Sequence, residues 1–425
     1  MKFLTAHDVI KHLYSLPHLH PKNDLSFIKR ILSSLGDPQN KVKTIHVTGT
    51  NGKGSTSYYL SNLLQKAGQK TGLFVSPYIR EFNERIQLNG QDIPNSDLVK
   101  VANIVESKIE LLQKDDPSFA LVTFEYETAL AFEYFYLNRC DYAVIEVGIG
   151  GQHDKTNVIC PEVSVITTIG LDHEKIIGPT IEDIAHEKSG IIKSKKPVVL
   201  GNVPQTVLPI LLKKANETKS SVYLLGRDYT VETTKNIQYC FKNHQIVFAK
   251  RPLVESYDIA IAVTAFYLLH LPLEEKMIEK AIDQINIPGR YQIISKAPKI
   301  VLDGAHNIQA MNNLLSFLHQ VKNKDGRLYC LVTMMKDKDL KQVFDLFEDQ
   351  DKVTLTTIPY PRAAKLNDFP AEVREKYAYD ANYCHAYQNL KNKLSKNDIL
   401  LVTGSFYLVS AILQVEDPIN ASARD

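Results

Sequence analysis

The chain has 425 residues, 44% of them apolar and 23% charged, which is the balance of a globular protein too long for one ordinary core. A net charge of +2 excludes the bulk field of a nucleic-acid or anionic-membrane binder, and no run of roughly 18 apolar residues is present to cross a bilayer. The five cysteines, Cys140, Cys160, Cys240, Cys330 and Cys384, are scattered and form no C-x-x-C pair. That pattern argues against a disulfide framework or a zinc site and for a reducing, cytoplasmic setting. Met1 to Leu13 is broken by Lys2, Asp8 and Lys11 and does not read as a signal peptide.

In chain order, residues 6–35 read as two short helices around a polar link, Pro17 to Asp24. Leu25, Ile28, Ile31 and Leu32 lie at helical spacing, and Gly36 supplies a stop. Then comes the stretch Thr44 to Thr56, Thr-Ile-His-Val-Thr-Gly-Thr-Asn-Gly-Lys-Gly-Ser-Thr. Ile45 and Val47 read as the end of a buried strand; Gly49, Gly52 and Gly54 fall within six residues, with Thr50, Asn51, Lys53 and Ser55 among them. A helical pattern from Ser57 to Ala67 follows and is ended by Gly68. Strand, glycine loop and helix are the setting of a phosphate-binding loop. Its backbone N–H groups turn toward an anion at a helix N-terminus, Lys53 reaches the terminal phosphates, and Ser55 or Thr56 can hold Mg²⁺. A turn without a ligand needs fewer glycines and no lysine and serine in register.

Leu73-Phe74-Val75 reads as the next strand, ending at Ser76-Pro77, with Phe82 to Ile86 and a turn at Asn89-Gly90 after it. A helix capped by Asn95 or Ser96 runs to about Lys114, and an aromatic helix begins at Thr123. Tyr142 to Val147 is an apolar strand interrupted only by Glu146, and Val163 to Thr168 is another, leading to His173. A helix from about Ile181 to Ile192 and a strand from Pro197 to Leu200 continue the alternation, which indicates a parallel sheet covered on both faces. Residues 221–250 read as a small antiparallel flap, and helices from Tyr257 to Asn286 close the first domain. Pro288-Gly289-Arg290 reads as a hinge. After it the alternation restarts with strands at Ile300 to Leu302, Leu328 to Val332, Val353 to Thr357 and Ile399 to Val402.

Polar residues gather where these strands end, which is where open parallel sheets bind ligands. Glu146 would be desolvated in its strand and needs a partner; Mg²⁺ on a nucleotide is one, a core Lys or Arg the other. Ser76 is a hard oxygen ligand and His173 a candidate beside it. Asp303 and His306 follow a strand in the second domain, and Arg290 could reach a phosphate or carboxylate once the domains close. Taken alone, Glu187 and Lys188 read as the solvated face of a helix.

The loop Gly-Thr-Asn-Gly-Lys-Gly-Ser, Gly49 to Ser55, resembles that of the Mur ligase superfamily, and within it that of the folylpolyglutamate synthases and their relatives that also make dihydrofolate. The likeness runs along nearly the whole chain, through Ser76-Pro77, Phe82 to Ile86, Phe124-Glu125, Glu146 to Gly151, Asp154 to Asn157, Leu171 to His173, Glu187 to Ile191, Asp303 to Asn307 and Thr403 to Ser405. It implies an α/β fold: a P-loop nucleotide-binding domain with a parallel sheet over residues 1–287, and a smaller Rossmann-like carboxy-terminal domain over 288–425. It implies an ATP-dependent ligase, with ATP and Mg²⁺ as cofactors, that adds L-glutamate to the tail of a reduced folate through an acyl phosphate, acting as a monomer. Dihydropteroate is a further substrate of some relatives. By the same resemblance Ser55, Ser76, Glu146 and His173 are metal ligands, and Gly49 to Thr56 with Arg290 and Asp303 hold the nucleotide. Lys53, Lys188, Asp303 and His306 are catalytic, with Lys188 carbamylated, and Arg85, Phe124, Glu125 and Ser405 bind substrate. The segment Pro17 to Asp24 and the Phe124 region favour folate over a cell-wall precursor, the substrate of other Mur-type ligases. One departure stands out. Relatives carry Gly-x-x-Gln…Asn near the adenine, whereas this chain reads Leu253-Val254-Glu255-Ser256-Tyr257-Asp258-Ile259. That implies weaker ATP binding and relaxed discrimination against GTP, or at the extreme a paralogue that binds without turnover.

Overall fold

The computed structural model describes residues 2–20 and 24–416. Eight strands build the first sheet: β1 (Lys43–Thr48), β2 (Thr71–Phe74), β3 (Ile86–Leu88), β4 (Gln91–Asp92), β5 (Tyr142–Glu146), β6 (Val163–Thr168), β7 (Val198–Asn202) and β8 (Val222–Leu224). Their order is β4-β3-β2-β5-β1-β6-β7-β8. From β2 to β8 every pairing is parallel, and the central strands are buried along almost their whole length; β5 reads as an apolar run for that reason, whereas β1 and β6 bury Thr44, His46, Thr48, Ser164 and Thr167 among their apolar residues. The sheet is mixed rather than wholly parallel: β3 and β4 form an antiparallel edge, because Asn89 and Gly90, both at positive φ, turn the chain straight back.

The helices cover this sheet as their apolar spacing requires. Val9 and Leu13 of the helix Ala6–Ser15, and Ile28, Ile31 and Leu32 of the helix Ser26–Ser34, share one core with Tyr126, Phe132, Tyr134 and Phe135 of the helix Thr123–Leu137. Most of the aromatic stripe is therefore packing. The helix Asn95–Asp115 starts after Pro94, which takes the cap position expected of Asn95 or Ser96. The helix Ile181–Ser189 is capped by Thr180, whose hydroxyl accepts from Asp183 N–H. It stops at Gly190, short of the expected Ile192.

The strands β9 (Tyr229–Thr233), β10 (Ile237–Phe241) and β11 (His244–Phe248) form the antiparallel flap, with Ile237, Tyr239 and Phe241 buried at period two. The segment at 222–224 is not part of it; it is β8 and extends the large sheet. The helices Leu253–Tyr267 and Glu275–Gln284 follow.

The chain divides into two compact units. One comprises the described residues up to Lys250 and Glu255–Ile285; the other comprises Arg251–Val254 and the described residues from Asn286 on. The second unit has its own sheet of β12 (Gln292–Lys296), β13 (Lys299–Leu302), β14 (Leu328–Val332), β15 (Lys352–Thr356), β16 (Ala378–Asp380) and β17 (Ile399–Thr403), in the order β12-β13-β17-β14-β15-β16. All its pairings are parallel except β12 with β13. The sequence reading lacks both edge strands: β12 is polar and bulged between Ile293 and Ser295, and β16 has only three residues.

Candidate active site

The phosphate loop leaves β1 and enters the helix Lys53–Lys66. Gly52 takes the cap position in the left-handed region at φ 82°, and the Asp258 carboxylate occupies the space a Cβ there would need. The loop is pinned to the end of β6: Thr50 N–H donates to Thr168 O (3.0 Å), Asn51 N–H to Thr168 Oγ1 (2.9 Å), and Thr167 Oγ1 to Asn51 O (2.5 Å). Lys53 Nζ donates to the loop carbonyls of Gly49 (2.9 Å) and Thr50 (3.4 Å). Gly54, Ser55 and Thr56 are buried in the first turn of the helix.

Glu146 ends β5 and is 2% exposed. Its Oε2 accepts from Ser76 N–H at 3.0 Å, so the structure brings together two candidates that lie 70 residues apart. The turn that follows is held from beneath. Asp154 Oδ2 accepts from Ile149 N–H (3.0 Å), and Thr48 Oγ1 donates to Gly150 O (2.6 Å). Thr156 Oγ1 donates to Asp154 Oδ1 and sits 2.9 Å from His46 Nε2. Burial pushes the His46 imidazole down to about 3, so it is neutral, and the Thr156 hydroxyl, already donating, accepts from its Nε2–H. Sequence reading passed over this relay because His46 looks like one polar interruption of a strand; Asp-x-Thr, a pattern that bonds its own backbone, was the available signal.

Lys188 is not on a solvated helix face; it is 4% exposed. Burial, and then the neighbouring Lys53 cation, push its amine down to about 7. Glu187 is likewise turned inward, its carboxylate taking the N–H groups of Gly151 (3.3 Å) and His153 (2.8 Å).

Ser55, Ser76 and Glu146 offer the hard oxygen donors that Mg²⁺ takes. Among the described residues no group of three or more His, Cys, Asp or Glu side chains is gathered to hold a metal. A donor set this small suits Mg²⁺, which keeps waters and phosphate oxygens around it. The residues present fit that ion. His173 lies beyond the end of β6 on a turn at φ 52°, its side chain 44% exposed with Nε2 3.6 Å from Asp172 Oδ2.

Of the substrate candidates in this unit, Arg85 pairs with Glu127 (3.4 Å) and lies over the Tyr78 ring (5.3 Å). Phe124 stacks on Phe74 (centroids 5.8 Å apart) and rests against Gly148. Glu125 is fully buried, with Oε1 3.2 Å from Lys155 Nζ and Oε2 2.8 Å from His20 Nε2. A carboxylate can be buried so deeply only with such partners. Lys155 also donates to Asp24 O at 2.7 Å. The middle of the expected folate segment, residues 21–23, lies outside the described residues.

In the second unit, Asp303 follows β13 and turns both oxygens onto backbone N–H groups, Oδ2 to Tyr291 (2.7 Å) and Oδ1 to Ala305 (2.8 Å). Burial pushes its pKa up, and those hydrogen bonds oppose the shift. His306 Nδ1 lies 2.8 Å from Gly304 O. Arg290 and His306 share one ring: the guanidinium lies 5.2 Å over Phe406, and the imidazole centroid is 6.0 Å from it. Ser405 is buried next to Phe406, its Oγ accepting from Tyr407 N–H at 3.1 Å. Asp303, His306, Arg290 and Ser405 thus gather where β13 and β17 end.

Comparison with known proteins gives the family. The Mur ligase middle domain matches residues 47–265, and the Mur ligase glutamate ligase domain matches residues 289–406. The folylpolyglutamate synthase of Lacticaseibacillus casei is 35% identical over 424 residues, covering 96% of this chain and 97% of that one. The dihydrofolate synthase/folylpolyglutamate synthase of Bacillus subtilis is 30% identical over 409 residues, covering 92% and 94%. Among solved structures, an FPGS–AMPPCP–folate complex superposes with a TM-score of 0.84 at 32% identity, covering 97% of this chain and 100% of that one. With glycine loop, strand-end carboxylate and buried lysine all in place, the chain belongs to the folylpolyglutamate synthase/dihydrofolate synthase family of the Mur ligase superfamily, a family of ATP-dependent amide ligases.

Proposed function

We propose that the chain adds L-glutamate to the tail of a reduced folate in the cytoplasm, as a monomer, with ATP as phosphoryl donor. The observation that carries this reading is the buried amine of Lys188 beside the phosphate-loop lysine, Lys53. It is supported by relatives named for folylpolyglutamate synthesis and by a relative solved with a nucleotide analogue and folate.

ATP would donate its γ-phosphoryl group to the folate carboxylate, giving an acyl phosphate, and the glutamate amine would displace phosphate. Lys53 would exchange its contacts to Gly49 O and Thr50 O for phosphate oxygens. Ser55, Ser76, Glu146 and His173 would hold Mg²⁺, which supplies charge neutralisation when bound. An amine pushed down to about 7 is partly neutral at physiological pH, the form that takes up CO₂, so Lys188 would act as a carbamate. Arg290 and Asp303 would serve the nucleotide, His306 the transfer, and Ser405, Arg85 and Phe124 the substrates. Glu125, the buried charge partner of Lys155 and His20, would serve the substrate with them.

The test is incubation of the purified protein with ATP, Mg²⁺, glutamate and either tetrahydrofolate or dihydropteroate, reading ADP and the glutamylated product. Glutamate-dependent product from tetrahydrofolate is expected, and product from dihydropteroate adds the dihydrofolate synthase activity. Nucleotide or folate binding with no product from either acceptor favours the non-catalytic paralogue instead. That second reading draws on Asp258, which lies against Gly52 of the phosphate loop.

A further inference from the structure

Glu187 stands in the last turn of the helix Ile181–Ser189. An anion there opposes the partial negative charge of a helix C-terminus, so contacts elsewhere must offset the cost. Those contacts all go to one turn. Oε1 accepts from Gly151 N–H (3.3 Å) and His153 N–H (2.8 Å), and Oε2 lies 2.9 Å from His153 Nδ1. The Glu187 carbonyl accepts from Gln152 N–H at 2.7 Å. Gly151 permits the approach: a Cβ on it would lie 2.7 Å from Glu187 O and 3.0 Å from Lys188 Cα. The turn therefore rests directly on the backbone of Lys188. Its other end is tied by Gly150 O to Thr48 Oγ1 (2.6 Å), the residue from which the phosphate loop departs.

We infer that Glu187 is a positioning residue: it locks residues 150–153 between Thr48 and the Lys188 backbone, and so fixes the Lys188 amine relative to the phosphate loop. The inference rests on the ligase reading above for its effect on turnover. The geometry itself is independent of that reading.

Three variants test it: Glu187→Leu, Glu187→Gln and His153→Ala. Each is measured for kcat, for KM of ATP and glutamate, for thermal stability, and for Lys188 reactivity by reductive methylation and peptide mass spectrometry. In E187L kcat should fall about 100-fold, the effect of a misplacement of about 1 Å. Its KM values should stay within about twofold, because binding is not what the clamp supplies. E187Q keeps an oxygen for the two N–H groups and should restore most of kcat; H153A, which removes one contact, should fall between. Lys188 methylation should change in E187L and return toward wild type in E187Q. Both substitutions remove the charge, so this contrast separates position from electrostatics. The inference is overturned if E187L keeps kcat within about threefold, well short of the effect of misplacement. Equal losses in E187L and E187Q with parallel falls in stability overturn it as well, leaving a fold contact only. If E187L does not fold, unchanged kcat and unchanged Lys188 methylation in H153A overturn it. If the wild-type protein makes no product, the ligase reading has failed; Lys188 methylation then still decides the positioning role, and no change in E187L overturns it.

Discussion

Each unit places a carboxylate at the end of a parallel strand, and the two are used differently. Asp303 turns both oxygens onto N–H groups of its own surroundings, Tyr291 and Ala305, and so shapes the turn after β13. Glu146 reaches across to the N–H of Ser76, at the end of a different strand of the sheet. One closes the end of a single antiparallel strand pair, β12 with β13; the other joins the ends of β2 and β5, 70 residues apart in the chain. The cations of the two units differ too. Lys188 is enclosed, with its amine pushed down to about 7, while the Arg290 guanidinium lies over an aromatic ring. The same kind of residue at the same kind of place thus braces one strand pair in one unit and ties two strand ends together in the other.

The sharpest break in this comparison comes from the first unit. Lys53→Ala should cut turnover on the order of a hundredfold or more while leaving stability unchanged, as for loss of a group that stabilises developing charge. Denaturant unfolding beside steady-state kinetics checks both halves; near-normal turnover would remove Lys53 from the chemistry. Next is Glu146→Gln. The amide oxygen can still accept from Ser76 N–H, so the fold should hold. Activity should fall by at least the roughly 10- to 100-fold that a group supporting a metal ligand commands, and raised Mg²⁺ should recover part of it. An unchanged Mg²⁺ dependence would make Glu146 as structural as Asp303.

Asp303→Asn turns the comparison round. An amide cannot accept two N–H groups with two oxygens, so one bond is lost and a donor faces a donor. A cost of about 1–3 kcal/mol in unfolding free energy is expected, larger than that of Glu146→Gln. Equal costs for the two would erase the distinction between a carboxylate that braces two N–H groups and one that takes a single one.

The last effect leaves the fold and its contacts in place and is a slope with pH. The Lys188 amine falls from its ordinary 10.5 to about 7 on folding. Between those values the unfolded chain holds a proton that the folded chain does not, so stability should rise with pH through that window. Below the lower value the penalty is present in full. Lys188→Met should be more stable at low pH and lose that rise, which chemical denaturation at pH 6 and pH 9 would read. A variant as pH-dependent as the wild type would mean that the lysine is not desolvated.

How much was legible follows from the range of the forces involved. The strands β5 and β14 could be read because a strand buried on both faces is largely apolar; β1 and β6 bury Thr, His and Ser as well and were read from Ile45 and Val47 and from the run at Val163 to Ile166. The edge strands β12 and β16 are short or polar and gain their place only by pairing, so nothing local announces them. In the site, the phosphate loop was legible because glycines, lysine and serine must be adjacent for backbone N–H groups to converge on one anion. Glu187 and Lys188 carry charges that local spacing alone assigns to solvent, and only the resemblance pointed to a buried lysine. Only the tertiary structure showed how far each charge is drawn in, since burial of a charge depends on partners far away in the chain: Lys155 and His20 for the fully buried Glu125, Gly151 and His153 for the partly buried Glu187. The sequence by itself therefore determined the alternation of elements and the one site built from consecutive residues. Folding decided which carboxylates face the site and which hold turns, because that depends on distances between segments that local spacing does not encode.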